Sequence, residues 1–160
     1  MTRVYVSVGS NQDARRHVSK ALEALVSSFS PVDLSPVYES VAVGFDGDNF
    51  LNLVVGFDTE LSLSELDSKL GEIEKSCGRV RGQQRFSSRT MDLDLLLYGD
   101  LICHDDDWDI PRQEITRNAF VLKPLSDLAP NEIHPELHQT YSQLWEQGYF
   151  FDQKLWEIKI

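Results

Sequence analysis

Cysteine is scarce, long apolar runs are missing and positive charge is in deficit, and each shortage closes off a class of protein. Cys77 and Cys103 are the only two cysteines. They stand in no C-x-x-C spacing and make no disulfide framework. Two reduced thiols suit a cytoplasmic protein. No stretch approaches the roughly 20 apolar residues that cross a bilayer. Met1-Thr2-Arg3-Val4 leads straight into an alternating pattern and not into the apolar core of a signal peptide. Lys and Arg number 15 against 26 Asp and Glu, for a net charge of −11. That balance leaves no broad basic surface for nucleic acid or an anionic membrane. A small basic cleft inside an acidic body stays compatible with an anionic substrate and has to be sought locally. The 160 residues suit a single domain, residues 1–160, expected as a monomer.

The apolar pattern gives an order of elements. Val4, Val6 and Val8 alternate with Tyr5 and Ser7, a strand ending at Gly9. A helix follows, capped by Ser10 or Asn11, with Val18, Ala21, Leu22, Leu25 and Val26 on its apolar stripe. Ser30-Pro31 closes it. A second strand is predicted from Val32 to Ser40, where Pro36 marks an edge or a bulge. Val41–Asn49 reads as a loop, and Phe50–Phe57 as a strand. Ser62 or Ser64 caps a second helix carrying Leu63, Leu66, Leu70 and Ile73, which ends at Gly78. Met91–Tyr98 is the most regular strand, expected at the centre of the sheet. A short strand at Leu101-Ile102 follows, then helices near Arg117–Leu128 and Tyr141–Gln147. The order β-α-β-β-α-β is that of an α+β, ferredoxin-like core: an antiparallel sheet with two helices on one face. The two later helices are expected to cover the other face.

Chemistry concentrates at the mouth of one strand. Asp92 and Asp94 are two apart, so the pleat puts both on one face with Cβ atoms roughly 6–7 Å apart. Leu96 and Tyr98 continue that face; Met91, Leu93, Leu95 and Leu97 take the other. Two anions so placed repel by about 2–3 kcal/mol at an effective dielectric near 20. A cation between them would turn that repulsion into attraction. The plainer alternative is a solvent-facing pair at a strand end. Against it, Arg79, Arg81, Arg85 and Arg89 crowd just ahead of the pair in an otherwise acidic chain. Carboxylates hold Mg²⁺, Mg²⁺ bridges phosphate oxygens, and arginine forks neutralise the remaining phosphate charge. Transfer of a phosphoryl-type group needs little beyond such positioning.

The run R-F-S-S-R-T-M-D-L-D-L-L, Arg85 to Leu96, resembles the signature of the 6-hydroxymethyl-7,8-dihydropterin pyrophosphokinases. V-G-S-N (Val8 to Asn11), G-R-V-R (Gly78 to Arg81) and P-L-x-D-L-A-P (Pro124 to Pro130) are similar in order and spacing. The resemblance covers nearly the whole chain and thins after about Pro135. It implies a three-layer α-β-α sandwich built on the ferredoxin-like core. It implies the partners ATP and hydroxymethyl dihydropterin, with diphosphate moving from the first to the second in folate synthesis.

On the same resemblance, Asp92 and Asp94 would hold two Mg²⁺ ions with ATP. Arg79 and Arg89 would stabilise the transferring diphosphate, and Arg81 would help to hold it. The pterin would use Asn52 for its ring edge and lie between Phe86 and Phe120, with Ser40, Val41, Val43 and Phe50 completing the slot. The chain departs from the family pattern on the nucleotide side. Pro111 is followed by Arg112 and Gln113, where relatives usually carry Pro-His and then Tyr. Asn118 stands where they carry an arginine, and Asp105, Asp106, Asp107 and Asp109 lie just upstream. Arg112 and Arg117 are therefore the candidates for holding ATP from neighbouring positions. Two other readings stay open: a weakened paralogue that binds pterin or nucleotide without turnover, and a diphosphotransferase for another hydroxymethyl heterocycle.

Overall fold

The computed structural model describes residues 1–41, 47–78, 91–148, 150 and 153–160. Its elements run β1 (Thr2–Ser10), α1 (Ala14–Phe29), β2 (Asp33–Leu34), β3 (Val37–Ser40), β4 (Phe50–Thr59), α2 (Leu63–Ser76), β5 (Asp92–Tyr98), β6 (Cys103–His104) and β7 (Asp109–Ile110). A 3-10 turn (Gln113–Thr116), α3 (Ala119–Leu128), α4 (Tyr141–Gln147) and β8 (Leu155–Ile158) complete the chain. The main sheet is antiparallel, in the order β5-β1-β4-β3-β8, with β2 also paired to β4. It is a mixed helix-and-sheet protein with helices on both faces.

The pleat sorts the two faces. Val4, Val6 and Val8 of β1 join Leu51, Leu53, Val55 and Phe57 of β4 under the stripes of α1 and α2. Phe57 is fully buried and stacks on Phe29 with ring centroids 4.2 Å apart; truncating it to alanine would cost about 3–5 kcal/mol. Tyr5 and Val54 point the other way, onto Val121, Leu122 and Leu125 of α3 and onto Tyr141 and Leu144 of α4.

Several expectations need correction. The helix α1 starts at Ala14, not behind Ser10 or Asn11. Ser10 ends β1, and the N-cap is Asp13 at φ 46° with no side-chain cap bond. Asp13 instead pairs with Arg16 at 2.8 Å, from a left-handed backbone that aspartate tolerates better than most residues. On the same helix Phe29 is buried and Val26 is exposed. The cap of α2 is Ser62: its Oγ accepts from Glu65 N at 3.2 Å, and Glu65 Oε1 accepts from Ser62 N at 2.9 Å, a reciprocal capping box. The Pro36 interruption splits the second strand into β2 and β3, and Ser35 bridges the gap. Its N–H donates to Val54 O and its Oγ accepts from Val54 N. β8 pairs with β3 from Val37 onward and β2 pairs with β4, so Pro36 stands at the break between the two strands, just past the cover of β8, as an edge or irregular position admits proline.

The larger correction concerns β5. It is not central: it lies at one end of the strand order, paired with β1. Its outer side is covered by the segment after β7, where Arg112 N donates to Leu96 O at 3.0 Å. Its alternation also breaks. Asp94 faces Ser7 and Leu95 faces Val6, yet Leu97, not Leu96, faces Tyr5. Leu96 is the extra residue of a β-bulge, and adjacent residues at a bulge project to one side. Leu96 and Leu97 therefore both pack towards α3. Tyr98 swings to the α2 side, where its hydroxyl donates to Leu61 O at 2.6 Å. The short strand expected at Leu101-Ile102 lies two residues later, as β6 paired with β7.

The β6–β7 hairpin carries an ionic latch. His104 Nδ1 lies 2.8 Å from Asp109 Oδ1, and Nε2 lies 2.7 Å from Glu136 Oε1. Only the imidazolium donates from both nitrogens. The hydrogen bonds to Glu136 and to Asp109 hold its pKa above the usual histidine value of 6.5. Nearby His134 is held below its usual value by burial. A raised folded-state pKa stabilises the protein fully below the unfolded value, and the gain disappears as pH rises through the folded value. The melting-temperature gap between wild type and His104→Gln is therefore expected to be wider at pH 6 than at pH 9. An equal gap at both would show that the latch does not depend on the imidazolium.

Candidate active site

A single cross-strand row organises the face turned towards α3. Asp92 of β5 lies opposite Gly9 of β1, Gly9 opposite Asn52 of β4, and Asn52 opposite Tyr38 of β3. Asp94 is one pleat further along, opposite Ser7. Pairing in register puts all of these side chains on one face. Asp92 and Asn52 are two strand spacings apart, about 10 Å, with a glycine between them. Nothing projects from that middle position. A Cβ placed on Gly9 would lie 2.7 Å from Asn52 Oδ1.

Asn52 is buried, and its Nδ2 donates to Ser40 Oγ at 3.5 Å, a long bond. Ser40 is also buried and lies opposite Phe50, which is half-buried. Ser40 and Phe50 thus lie next to Asn52, at the end of the row. Val41 follows directly and is exposed. Phe120, on α3, is half-buried against the cluster on this face. Val43, Phe86, Arg79, Arg81 and Arg89 lie outside the described residues, as does Arg85.

Asp94 and Arg112 come together across eighteen positions of sequence. Arg112 Nη2 is 3.6 Å from Asp94 Oδ1 and 3.1 Å from Glu114 Oε1, with the Arg112 and Asp94 side chains each about one-third exposed. Burial would lower the Arg112 pKa, but the charges of Asp94, Glu114 and Asp109 outweigh it, and the guanidinium stays a cation. Its Nε–H is buried without a hydrogen-bond partner among the described residues. Arg117 is different. It sits exposed at the end of the 3-10 turn, its carbonyl taken by Gln153 Nε2 at 2.9 Å and its side chain in no ion pair among the described residues.

The acidic run upstream is partly absorbed by local structure. Asp105 Oδ1 accepts from Asp107 N and Trp108 N, both at 2.8 Å, which closes the β6–β7 turn. Asp109 Oδ2 accepts from Gln113 N at 3.1 Å, which starts the 3-10 turn beside Arg112. Two of the four acids thus shape the backbone.

Two residues of the site were not singled out in the sequence. Gly9 was read only as a strand end. Glu74, in the last turn of α2, drew no notice, yet its Oε2 accepts from Leu93 N at 2.9 Å, on the outer edge of β5 between the two aspartates. A signal existed: an acid in the last turn of a helix opposes the macrodipole, a small cost that a partner elsewhere can offset. Among the described residues no three His, Cys, Asp or Glu side chains converge on one metal position. Two carboxylates are what Mg²⁺ takes from a protein when phosphate and water supply the rest. They would not make a zinc or calcium cage.

Comparison with known proteins places the chain beside pterin pyrophosphokinases. The family model described as 7,8-dihydro-6-hydroxymethylpterin-pyrophosphokinase (HPPK) matches residues 5–130. A 2-amino-4-hydroxy-6-hydroxymethyldihydropteridine pyrophosphokinase from Pseudomonas aeruginosa is 39% identical over 133 residues, covering 81% of this chain and 82% of its own. The Aquifex aeolicus protein of that name is 36% identical over 137 residues, covering 84% and 85%. The one from Haemophilus influenzae is 34% identical over 159 residues, covering 97% of each. Among solved structures, an HPPK-DHPS in complex with substrates superposes with a TM-score of 0.70 at 13% identity. It covers 91% of this chain, which spans only 43% of that one. At that identity the likeness speaks for the fold alone. The sequence matches go further: the chain belongs to the 7,8-dihydro-6-hydroxymethylpterin-pyrophosphokinase family.

Proposed function

We propose that the protein transfers the terminal diphosphate of ATP to the hydroxymethyl group of 6-hydroxymethyl-7,8-dihydropterin, yielding AMP and the pterin diphosphate in folate synthesis. The observation that carries the reading is the row Asp92, Gly9, Asn52: a carboxylate for the phosphate side and a buried amide for a heterocycle edge, about 10 Å apart across a bare glycine. Membership of the family favours turnover over a relative that only binds.

Asp92 and Asp94 are the residues to hold two Mg²⁺ ions with ATP, and the metal, when bound, neutralises the phosphate oxygens. Asn52 orients the pterin, and Ser40, Val41, Val43 and Phe50 line its slot, with Phe86 and Phe120 against its faces. Arg79 and Arg89 meet the charge on the transferring diphosphate. Arg81, Arg89, Arg112 and Arg117 hold ATP. With so many charges assigned to phosphate, catalysis is chiefly positioning and electrostatics. The architecture that supports this is a ferredoxin-like core extended to a three-layer α-β-α sandwich. The sheet order, with β1 and β4 inside and β2 and β3 joined through Ser35, accords with it.

The test is to incubate protein, ATP, Mg²⁺ and the hydroxymethyl dihydropterin and to follow AMP and pterin diphosphate together. Equal rates of both are expected. AMP without pterin diphosphate, or binding of both substrates with neither product, would overturn the reading. Omitting Mg²⁺ is expected to abolish turnover.

A further inference from the structure

Arg112 is held by its backbone and under-satisfied at its side chain. Its N–H donates to Leu96 O, the carbonyl of the bulge residue two positions beyond Asp94. That bond places the side chain over the edge of β5 whatever the guanidinium does. The guanidinium rests on Asp94 and Glu114 while its Nε–H is enclosed without a partner among the described residues. A buried donor with no acceptor makes the resting pose costly, and therefore one that a better acceptor can displace. Phosphate oxygens are such an acceptor, since the guanidinium fork matches them.

We propose that Arg112 is an internal counter-ion which occupies Asp94 in the absence of nucleotide and passes to the ATP phosphates when they arrive. The inference rests on the assignment of Asp94 to the metal. A carboxylate already facing a cation is a poorer ligand for a second one. Metal alone is then held more weakly, and the nucleotide, by drawing Arg112 away, removes one competing cation from Asp94. Metal and nucleotide binding become coupled through one side chain, and each must strengthen the other by the same factor. Glu114 keeps the guanidinium near the site throughout, and Asn118 Nδ2 lies within 3.5 Å of the other Glu114 oxygen.

The experiment is a Mn²⁺ titration by electron paramagnetic resonance on the whole chain, without nucleotide and without turnover. It is paired with calorimetric titration of a non-hydrolysable ATP analogue in the presence of Mg²⁺. Arg112→Ala is expected to bind Mn²⁺ roughly fivefold more tightly than wild type and to bind the analogue roughly tenfold more weakly. Arg112→Lys, which keeps the charge and loses the fork, should hold Mn²⁺ off like wild type and still bind the analogue poorly. All of these variants keep the backbone bond to Leu96. Unchanged Mn²⁺ affinity in Arg112→Ala, or unchanged analogue affinity, overturns the hand-over. A double variant, Asp92→Asn with Asp94→Asn, separates the two levels. If Mn²⁺ binding is indifferent to it, the metal assignment itself is wrong. If Mn²⁺ binding is lost there but Arg112→Ala changes nothing, only the hand-over is.

Discussion

Asp92→Asn and Asp94→Asn are each expected to lower turnover by about 10²-fold or more, the scale of losing one electrostatic clamp on a transferring phosphoryl group. Both side chains lie on the same face of β5, one pleat apart, and their mutual repulsion makes sense where cations are to sit between them. The amide is chosen over alanine because of Arg112. Removing the Asp94 charge takes one of two carboxylates from a half-buried guanidinium, and an amide oxygen at that position can still accept from it. Glu114 remains in either case, so the melting temperature should move by only a few degrees. The measurement is the rate of AMP formation at saturating substrates, with circular dichroism as the check on fold. Turnover within a few-fold of wild type in either variant would remove that aspartate from the site.

The second large effect is expected from the smallest change, Gly9→Ala. The added Cβ meets Asn52 Oδ1 at 2.7 Å, while its next neighbours are at 3.8 and 3.9 Å. The atom that must yield is therefore the end of one side chain, and the sheet itself should hold. Turning the Asn52 amide aside removes the hydrogen bonds with which it would fix the pterin edge. One or two such bonds correspond to about 10- to 100-fold in pterin affinity. ATP affinity should not change. Because the effect acts through Asn52, the double variant Gly9→Ala with Asn52→Ala should bind pterin no worse than Asn52→Ala alone. Additive losses in that cycle would mean that Gly9 contributes by some other route. Titration of pterin by fluorescence reads all four proteins.

What the sequence made legible followed from local rules, and what it hid depended on partners. β1, β4 and α2 carry their period over many residues, and α4 carries its cap beside its apolar positions. β8 carries no such signal. Leu155–Ile158 is a strand because β3 offers it an edge, and its exposed Trp156 and Glu157 suit an outermost strand. The bulge in β5 was hidden for a different reason. Leu95, Leu96 and Leu97 are identical, so no alternation could reveal which of them is extra. At the site, Asp92 and Asp94 stood out because paired charge in a strand is costly. The meeting of Asp94 with Arg112 did not, because it depends on a hairpin and a 3-10 turn folding back across the strand edge. Glu74 was visible only as a charge at the wrong end of a helix.

The bulge also sets what kind of change β5 can absorb. Before it, the alternation of the strand serves the carboxylates; after it, the same alternation serves Tyr98 and the turn at Gly99. Leu96 separates the two phases. Exchanging a leucine there for another apolar side chain alters volume and leaves both halves facing as they do. Deleting one of the three leucines would close the bulge while leaving Asp94 opposite Ser7 and Tyr98 opposite Val4, so both keep their faces, and the loss would fall on the leucine packed towards α3 and on the carbonyl that accepts from Arg112 N. The bulge therefore governs how the outer edge of β5 meets the segment after β7, and not which way the carboxylates face.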